Sequence, residues 1–151
     1  HLAILGAGGA GTAIITQAAL DGVSEISVFV RKSSFWKSEA FLEKIRKETG
    51  CQISLLDIGD PAVLKQELVR ADILINATSI GMEPNTDACP IPGPEFLIEG
   101  LFVMDNYLLS GRDNAASVRQ RKRTAMLQRP WHASLSGCGS IPPVYRGRTS
   151  D

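Results

Sequence analysis

Six residues near the start of the chain, Gly6-Ala7-Gly8-Gly9-Ala10-Gly11, offer their backbone rather than side chains for chemistry. Gly6, Gly8 and Gly11 have the G-x-G-x-x-G spacing. In that pattern the first glycine makes a tight turn, the second lets backbone approach a pyrophosphate, and the third lets helix pack closely on strand. An anion there meets free N–H groups and the partial positive charge of a helix start. The same spacing also occurs in turns that hold nothing, so its setting decides. Leu2-Ala3-Ile4-Leu5 before it is the unbroken apolar run of a strand buried on both faces, and Thr12-Ala13-Ile14-Ile15 after it has helical composition. Strand, glycine turn and helix together point to a dinucleotide.

A second group, Arg31-Lys32-Ser33-Ser34, follows the strand-like run Ile26-Ser27-Val28-Phe29-Val30. It lies about 20 residues past the glycines, where sites for NAD place a carboxylate on the ribose 2′-hydroxyl. No carboxylate stands here to repel a 2′-phosphate, while two cations and two hydroxyls can bind one, so the pattern favours NADP over NAD. A solvated basic loop is the alternative. A third group, Asn76, Thr78 and Ser79, arrives where the apolar run Ile73-Leu74-Ile75 should end. Ligands of open parallel sheets bind at such carboxyl ends, so these groups are expected to face the cofactor, with a ligand-free capping turn as the alternative.

The elements that must position these groups read as alternating strands and helices, an α/β doubly wound parallel sheet of the Rossmann type with about five strands. Asp21-Gly22 ends the first helix. Ser33 or Ser34 can cap a second helix running to about Glu48, with Phe35, Phe41, Leu42 and Ile45 near one face, and Gly50 stops it. A third strand over residues 51–57 precedes Asp60-Pro61, a cap followed by a proline at the first helical position. Val63, Leu64, Leu68 and Val69 supply the buried face of that helix, which ends near Arg70. The fourth strand should neighbour the first; a proline-rich loop over residues 83–94 and a fifth strand over 101–105 follow.

At 151 residues and 44% hydrophobic content the chain has room for one domain with a real core. Its formal net charge of zero gives no global case for nucleic acid or a membrane surface. That total hides an asymmetry, since residues 1–104 carry 8 Lys+Arg against 13 Asp+Glu and residues 105–151 carry 8 against 3. Residues 106–151, with Arg119, Arg121, Lys122 and Arg123 crowded together and many Ser, Gly and Pro, keep neither a helical nor a strand period. One arginine cluster without a stacking module is a poor nucleic-acid site. His132 reads as an incidental loop histidine, and Cys138 has no partner at metal-ligand spacing. Three widely spaced cysteines, Cys51, Cys89 and Cys138, argue against a disulfide framework or a zinc site and are expected to be plain thiols in a reducing cytoplasm. No apolar run approaches the ~20 residues of a membrane span. The chain opens inside a strand without an initiator Met, so an N-terminal part is expected to be missing.

Over residues 71–82, ADILINATSIGM, the sequence resembles the nucleotide-binding domain of shikimate dehydrogenases, including the shikimate/quinate branch. GAGGAG at 6–11, the Arg31-Lys32 loop and Val103-Met104-Asp105 share in a resemblance that covers about residues 1–105. The N-A-T-S-I-G-M run is far more specific to that family than the glycines are. The resemblance implies reversible NADP-linked reduction of 3-dehydroshikimate to shikimate, a cytoplasmic step towards chorismate and the aromatic amino acids. By position, Ala7, Gly8, Gly9 and Ala10 match the family's pyrophosphate loop, Arg31 its 2′-phosphate arginine, and Thr78 and Ser79 residues lining the nicotinamide side.

Three departures qualify what the resemblance implies. Val30 stands where the family usually has Asn, and Lys32 where its NADP-specific branch has Thr or Ser. The loop Lys32-Ser33-Ser34-Phe35-Trp36 is closer to the shikimate/quinate branch, which accepts NAD as well, so both cofactors stay open. The family's substrate domain, with its catalytic Lys and Asp, precedes the first Rossmann strand, so no catalytic or metal-binding residue is assigned within this chain. Weak NADP binding without turnover is the expectation. After Asp105 the match stops, with Tyr107 one position early, as a reading-frame shift would produce. Two rival readings are a non-catalytic nucleotide-binding remnant whose basic tail contacts a partner, and a glutamyl-tRNA reductase-like enzyme, against which the N-A-T-S-I-G-M run counts.

Overall fold

The computed structural model of the protein describes residues 1–80 and 88–105. Five strands, β1 (Leu2–Leu5), β2 (Glu25–Val30), β3 (Gln52–Asp57), β4 (Ile73–Asn76) and β5 (Phe102–Asp105), pair in parallel in the order β3-β2-β1-β4-β5. Helix α1 (Gly9–Leu20) joins β1 to β2, α2 (Phe35–Thr49) joins β2 to β3, and α3 (Pro61–Arg70) carries the chain across to β4 on the far side of β1. This is the expected doubly wound sheet, with its reversal of strand order between β1 and β4.

Because strand side chains alternate between faces, the apolar runs split into two cores. Leu2, Ile4, Ile26, Val28, Val30, Ile53 and Ile75 meet Ile15 and Ala19 of α1 and Leu42 and Ile45 of α2. Ala3, Leu5, Phe29 and Leu74 meet Leu64 and Leu68 of α3, with Ile91 and Phe96 from the β4–β5 connection closing the layer. Phe29, Ile4, Leu5 and Ile15 are fully buried, so the strand before the glycine turn and the helix after it are both anchored.

Local sequence explains where the helices start and stop, with three differences from expectation. Asp60 caps α3 by accepting the N–H groups of Ala62 at 3.0 Å and Val63 at 3.2 Å, and Pro61 needs no partner at the first position. Gly50 ends α2 in the left-handed region, with φ of 71°. Ser34 does sit at the α2 N-cap but makes no side-chain cap hydrogen bond, because residues Lys32–Ser34 already form a 3-10 turn closed by Ser34 N–H to Arg31 O at 2.7 Å. Val69 is exposed; Leu64 and Leu68, one turn apart, carry the buried stripe without it. Cys51 is a buried free thiol just ahead of β3, its Sγ–H donated to Val23 O, whereas Cys89 is disulfide-bonded and not the plain thiol expected. Wide spacing excludes a dense disulfide framework but not a single bridge.

Part of the proline-rich loop and the whole of the basic stretch 106–151, including His132 and Cys138, lie outside the described residues. Among the described residues no helix is long and apolar enough to cross a membrane.

Candidate cofactor site

Three backbone hydrogen bonds tie the carboxyl ends of the strands together. Ile58 N–H donates to Val30 O at 3.0 Å, Gly6 N–H to Phe29 O at 2.8 Å, and Ala77 N–H to Leu5 O at 2.8 Å. The loops leaving β1, β2, β3 and β4 are therefore fixed side by side, around the crevice where strand order reverses.

The glycines divide into those that make the turn and those that leave it open. Gly6 has φ of 93°, and a β-carbon there would come within 3.0 Å of Thr78 Cγ2 and 3.1 Å of Ala77 O. A β-carbon on Gly11 would collide with the carbonyl oxygen of Gly6, so Gly11 is what lets α1 lie against the end of β1. Gly8 and Gly9 have nothing within 4 Å of where a β-carbon would sit. Their exposed face is open for a ligand to approach the backbone.

Helix α1 starts at Gly9 with Gly8 as N-cap, no side-chain cap and no acidic residue in its first turn. Its dipole is thus left uncompensated at the mouth of the crevice, as an anion site requires. Thr12, the one hydroxyl in this turn, is directed back to Gly8 O at 3.0 Å and Gly9 O at 2.9 Å, away from the helix's free N–H groups. Ala7 and Ala10, half-buried, complete the loop without adding charge.

Arg31 follows β2 directly, exposed, and has no ion-pair partner among the described residues. Lys32 differs: its Nζ lies 3.5 Å from Asp57 Oδ2 at the end of β3. The sequence has no carboxylate at the end of β2 itself; the sheet order brings one across from the neighbouring strand. Trp36, 76% exposed in the first turn of α2, stands just beyond these cations.

At the end of β4 the polar side chains hold one another and the turn. Asn76 is buried and its Oδ1 accepts from Thr78 N–H at 3.1 Å and Thr78 Oγ1–H at 2.7 Å, while Thr78 Oγ1 accepts from Ile80 N–H at 3.2 Å. The Asn-x-Thr pattern is the signal for this turn, since such side chains bond backbone two residues on. Thr78 thereby packs its methyl on the glycine turn, and exposed Ser79 is left as the hydroxyl pointing out.

A second polar cluster sits at the opposite, amino ends of the strands. Ser27 Oγ–H donates to Glu67 at 2.6 Å, so the 2.8 Å contact from His1 Nε2 must be donated by the ring. Ser27 is fully buried and its hydroxyl already used, which makes it no nucleophile. Glu25 and Glu67, which with His1 could approach a metal ion, are both held by the Arg70 guanidinium at 2.8 and 3.2 Å.

The crevice fits a dinucleotide: an open glycine face for a diphosphate, a helix start without a side-chain cap behind it, and, one strand over, an arginine with no ion-pair partner among the described residues. No family model matches the chain. Curated relatives do. It is 45% identical over 105 residues to a shikimate dehydrogenase (NADP(+)) of Listeria monocytogenes, and 41% identical over 104 residues to one of Streptococcus pneumoniae. These alignments take in 69% of this chain but 36% of each relative, so the chain spans about a third of the length of the relatives it matches. The crystal structure of a Listeria monocytogenes shikimate 5-dehydrogenase in complex with shikimate and NAD superposes with a TM-score of 0.67 at 39% identity, covering 80% of this chain and 42% of that one. A shikimate dehydrogenase in complex with NADP+ gives 0.52 at 30%, covering 69% and 34%. A ligand-free 5-ketofructose reductase of Gluconobacter gives 0.53 at 32%, covering 70% and 36%.

Proposed function

We propose that this homologue of the nucleotide-binding part of shikimate dehydrogenases holds the nicotinamide cofactor, NADP in preference to NAD, for reduction of 3-dehydroshikimate to shikimate. The observation that carries this reading is the glycine turn: Gly11 lets α1 start against Gly6, and Gly8 and Gly9 present open backbone at an uncapped helix end. Residues 1–105 form the nucleotide-binding domain, and the basic stretch 106–151 is a separate, divergent segment. Small molecules rather than nucleic acid or membrane are its partners, and the cytoplasm is the compartment in which that reaction belongs.

In this scheme the N–H groups of Ala7 to Gly11 hold the diphosphate, Arg31 and Lys32 hold the 2′-phosphate, and Thr78 and Ser79 line the nicotinamide side. Bound nicotinamide supplies the hydride for the ring ketone. The chain's own residues bind and orient; Asn76 keeps the β4 turn in shape through Thr78. The proton for the new hydroxyl needs a general acid, typically worth 10²- to 10⁴-fold. By the family resemblance that Lys, and the Asp beside it, lie outside the matched stretch. The likeness to a 5-ketofructose reductase supports placing substrate choice there too, since similar nucleotide-binding parts accompany different sugars and ring ketones.

A second reading has an observation of its own: Lys32 is partnered by Asp57, which weakens the case for exclusive use of NADP and leaves NAD as an accepted cofactor. Titration of the 151-residue chain with NADPH and NADH, followed by calorimetry, tests both. Tighter binding of NADPH is expected, with no reduced nicotinamide accumulating when shikimate and NADP+ are added. Failure of both nucleotides to bind overturns the cofactor assignment, and measurable shikimate oxidation overturns the catalytic part.

A further inference from the structure

We infer that Asp57 is a specificity-determining residue of this site, setting how far a 2′-phosphorylated dinucleotide is preferred over one with a free 2′-hydroxyl; the inference rests on the nucleotide-binding reading above and deepens it.

Asp57 is in register with Val30, the last residue of β2, and Ile58 N–H bonds Val30 O at 3.0 Å. The ends of the two strands are therefore tied to each other. The Asp57 carboxylate is also aimed, because its Oδ1 accepts Gly59 N–H at 3.0 Å, which leaves Oδ2 toward Lys32 Nζ at 3.5 Å. Its side chain is only 21% exposed, against 80% for Lys32. A held, half-buried anion faces an exposed, solvated cation. Gly59 contributes to the hold, since a β-carbon there would come within 3.3 Å of Asp57 Oδ1.

Two consequences follow for a nucleotide at this edge. Lys32 is partly neutralised before any phosphate arrives, so Arg31, which has no ion-pair partner among the described residues, is the stronger of the two cations toward a dianionic 2′-phosphate. The carboxylate also opposes that dianion while offering an acceptor to a 2′-hydroxyl, the task a carboxylate at the end of β2 performs in NAD sites. Preference for NADP is thus held below what two cations alone would produce. No other carboxylate among the described residues is paired with a cation of this loop.

The test is the ratio of dissociation constants for NADP+ and NAD+, measured by calorimetry on the full chain and on two variants with opposite expected effects. Asp57→Asn keeps an acceptor for Gly59 N–H and frees Lys32; the ratio should move toward NADP+ by about three- to tenfold. Lys32→Gln leaves Asp57 uncompensated, and the ratio should move toward NAD+ by a similar factor. Because Lys32→Gln also removes a proposed phosphate contact, the shift in Asp57→Asn decides; adding Asp57→Asn to the Lys32→Gln chain should likewise move the ratio back toward NADP+, so one variant that fails to fold leaves the other measurable. Ratios within twofold of the unsubstituted chain in the folded variants overturn the role of Asp57 while leaving the cofactor site standing. No binding of either nucleotide by the unsubstituted chain overturns both.

Discussion

A β-carbon on Gly11 would collide with the carbonyl oxygen of Gly6, five positions earlier in the chain. Backbone on both sides leaves nothing flexible to give way. Gly11→Ala should therefore destabilise by about 1–3 kcal/mol through overpacking, outweighing the ~1 kcal/mol that alanine gains in a helix. Gly8→Ala meets nothing within 4 Å and should stay within about 0.5 kcal/mol of the parent, yet obstruct nucleotide approach. Urea melts of both variants, with calorimetry on Gly8→Ala, separate the glycine that builds the turn from the one that serves a ligand.

Asn76 and Thr78 make the corresponding prediction at the end of β4. Replacing Asn76 by Ala removes the acceptor of two Thr78 donors in a buried place and should cost about 1–3 kcal/mol. Thr78→Val keeps the methyl against Gly6 but drops the hydroxyl that links Asn76 to Ile80 N–H, and should cost about 1 kcal/mol. Losses below about 0.5 kcal/mol for both in urea melts would mean the turn is held by something other than this pair.

Most of this architecture was legible in the residues, for reasons that are local. An apolar run such as Leu2-Ala3-Ile4-Leu5 has no stable place except a strand covered on both faces, and Asp60-Pro61 and Gly50 announce helix ends by their own backbone needs. What escaped was contact between elements. Asp57 lies far from the glycine turn in sequence and reaches Lys32 only because β3 pairs beside β2. Val69 was misplaced for a related reason, since composition does not tell which side of α3 the sheet occupies. The bond from Thr78 Oγ1–H to Asn76 Oδ1 is a shorter-range case, set by how the turn after β4 closes.

Arg31 should behave as a ligand-binding residue and not as a structural one. It is exposed and has no ion-pair partner among the described residues, so Arg31→Ala should alter stability by no more than about 0.5 kcal/mol. Loss of a charged hydrogen bond worth about 1.5–3 kcal/mol should weaken NADP+ binding by roughly tenfold to a hundredfold and leave NAD+ nearly unchanged. The difference should shrink as salt rises, because an exposed phosphate contact is screened. Parallel weakening of both nucleotides would remove the 2′-phosphate from this position.

Cys51 should make stability fall at alkaline pH. Its thiol is buried ahead of β3, with Sγ–H on Val23 O, and burial pushes its pKa above the ordinary 9.0. The sign follows from linkage: the folded pKa is the higher one, so the unfolded chain ionises first as pH rises. The stability tied to the neutral thiol is complete below that ordinary value, which the unfolded chain keeps, and is lost as pH climbs through the folded one. Cys51→Ala lacks this group and leaves a small gap in packing, so it should be less stable than the parent at neutral pH. Above pH 9 the parent should lose stability faster, and the gap between the two in urea melts should narrow; Cys89 and Cys138 are common to both and cancel. A gap that stays constant from neutral pH to pH 10 would mean that the Cys51 thiol ionises as readily in the folded protein as in the unfolded chain.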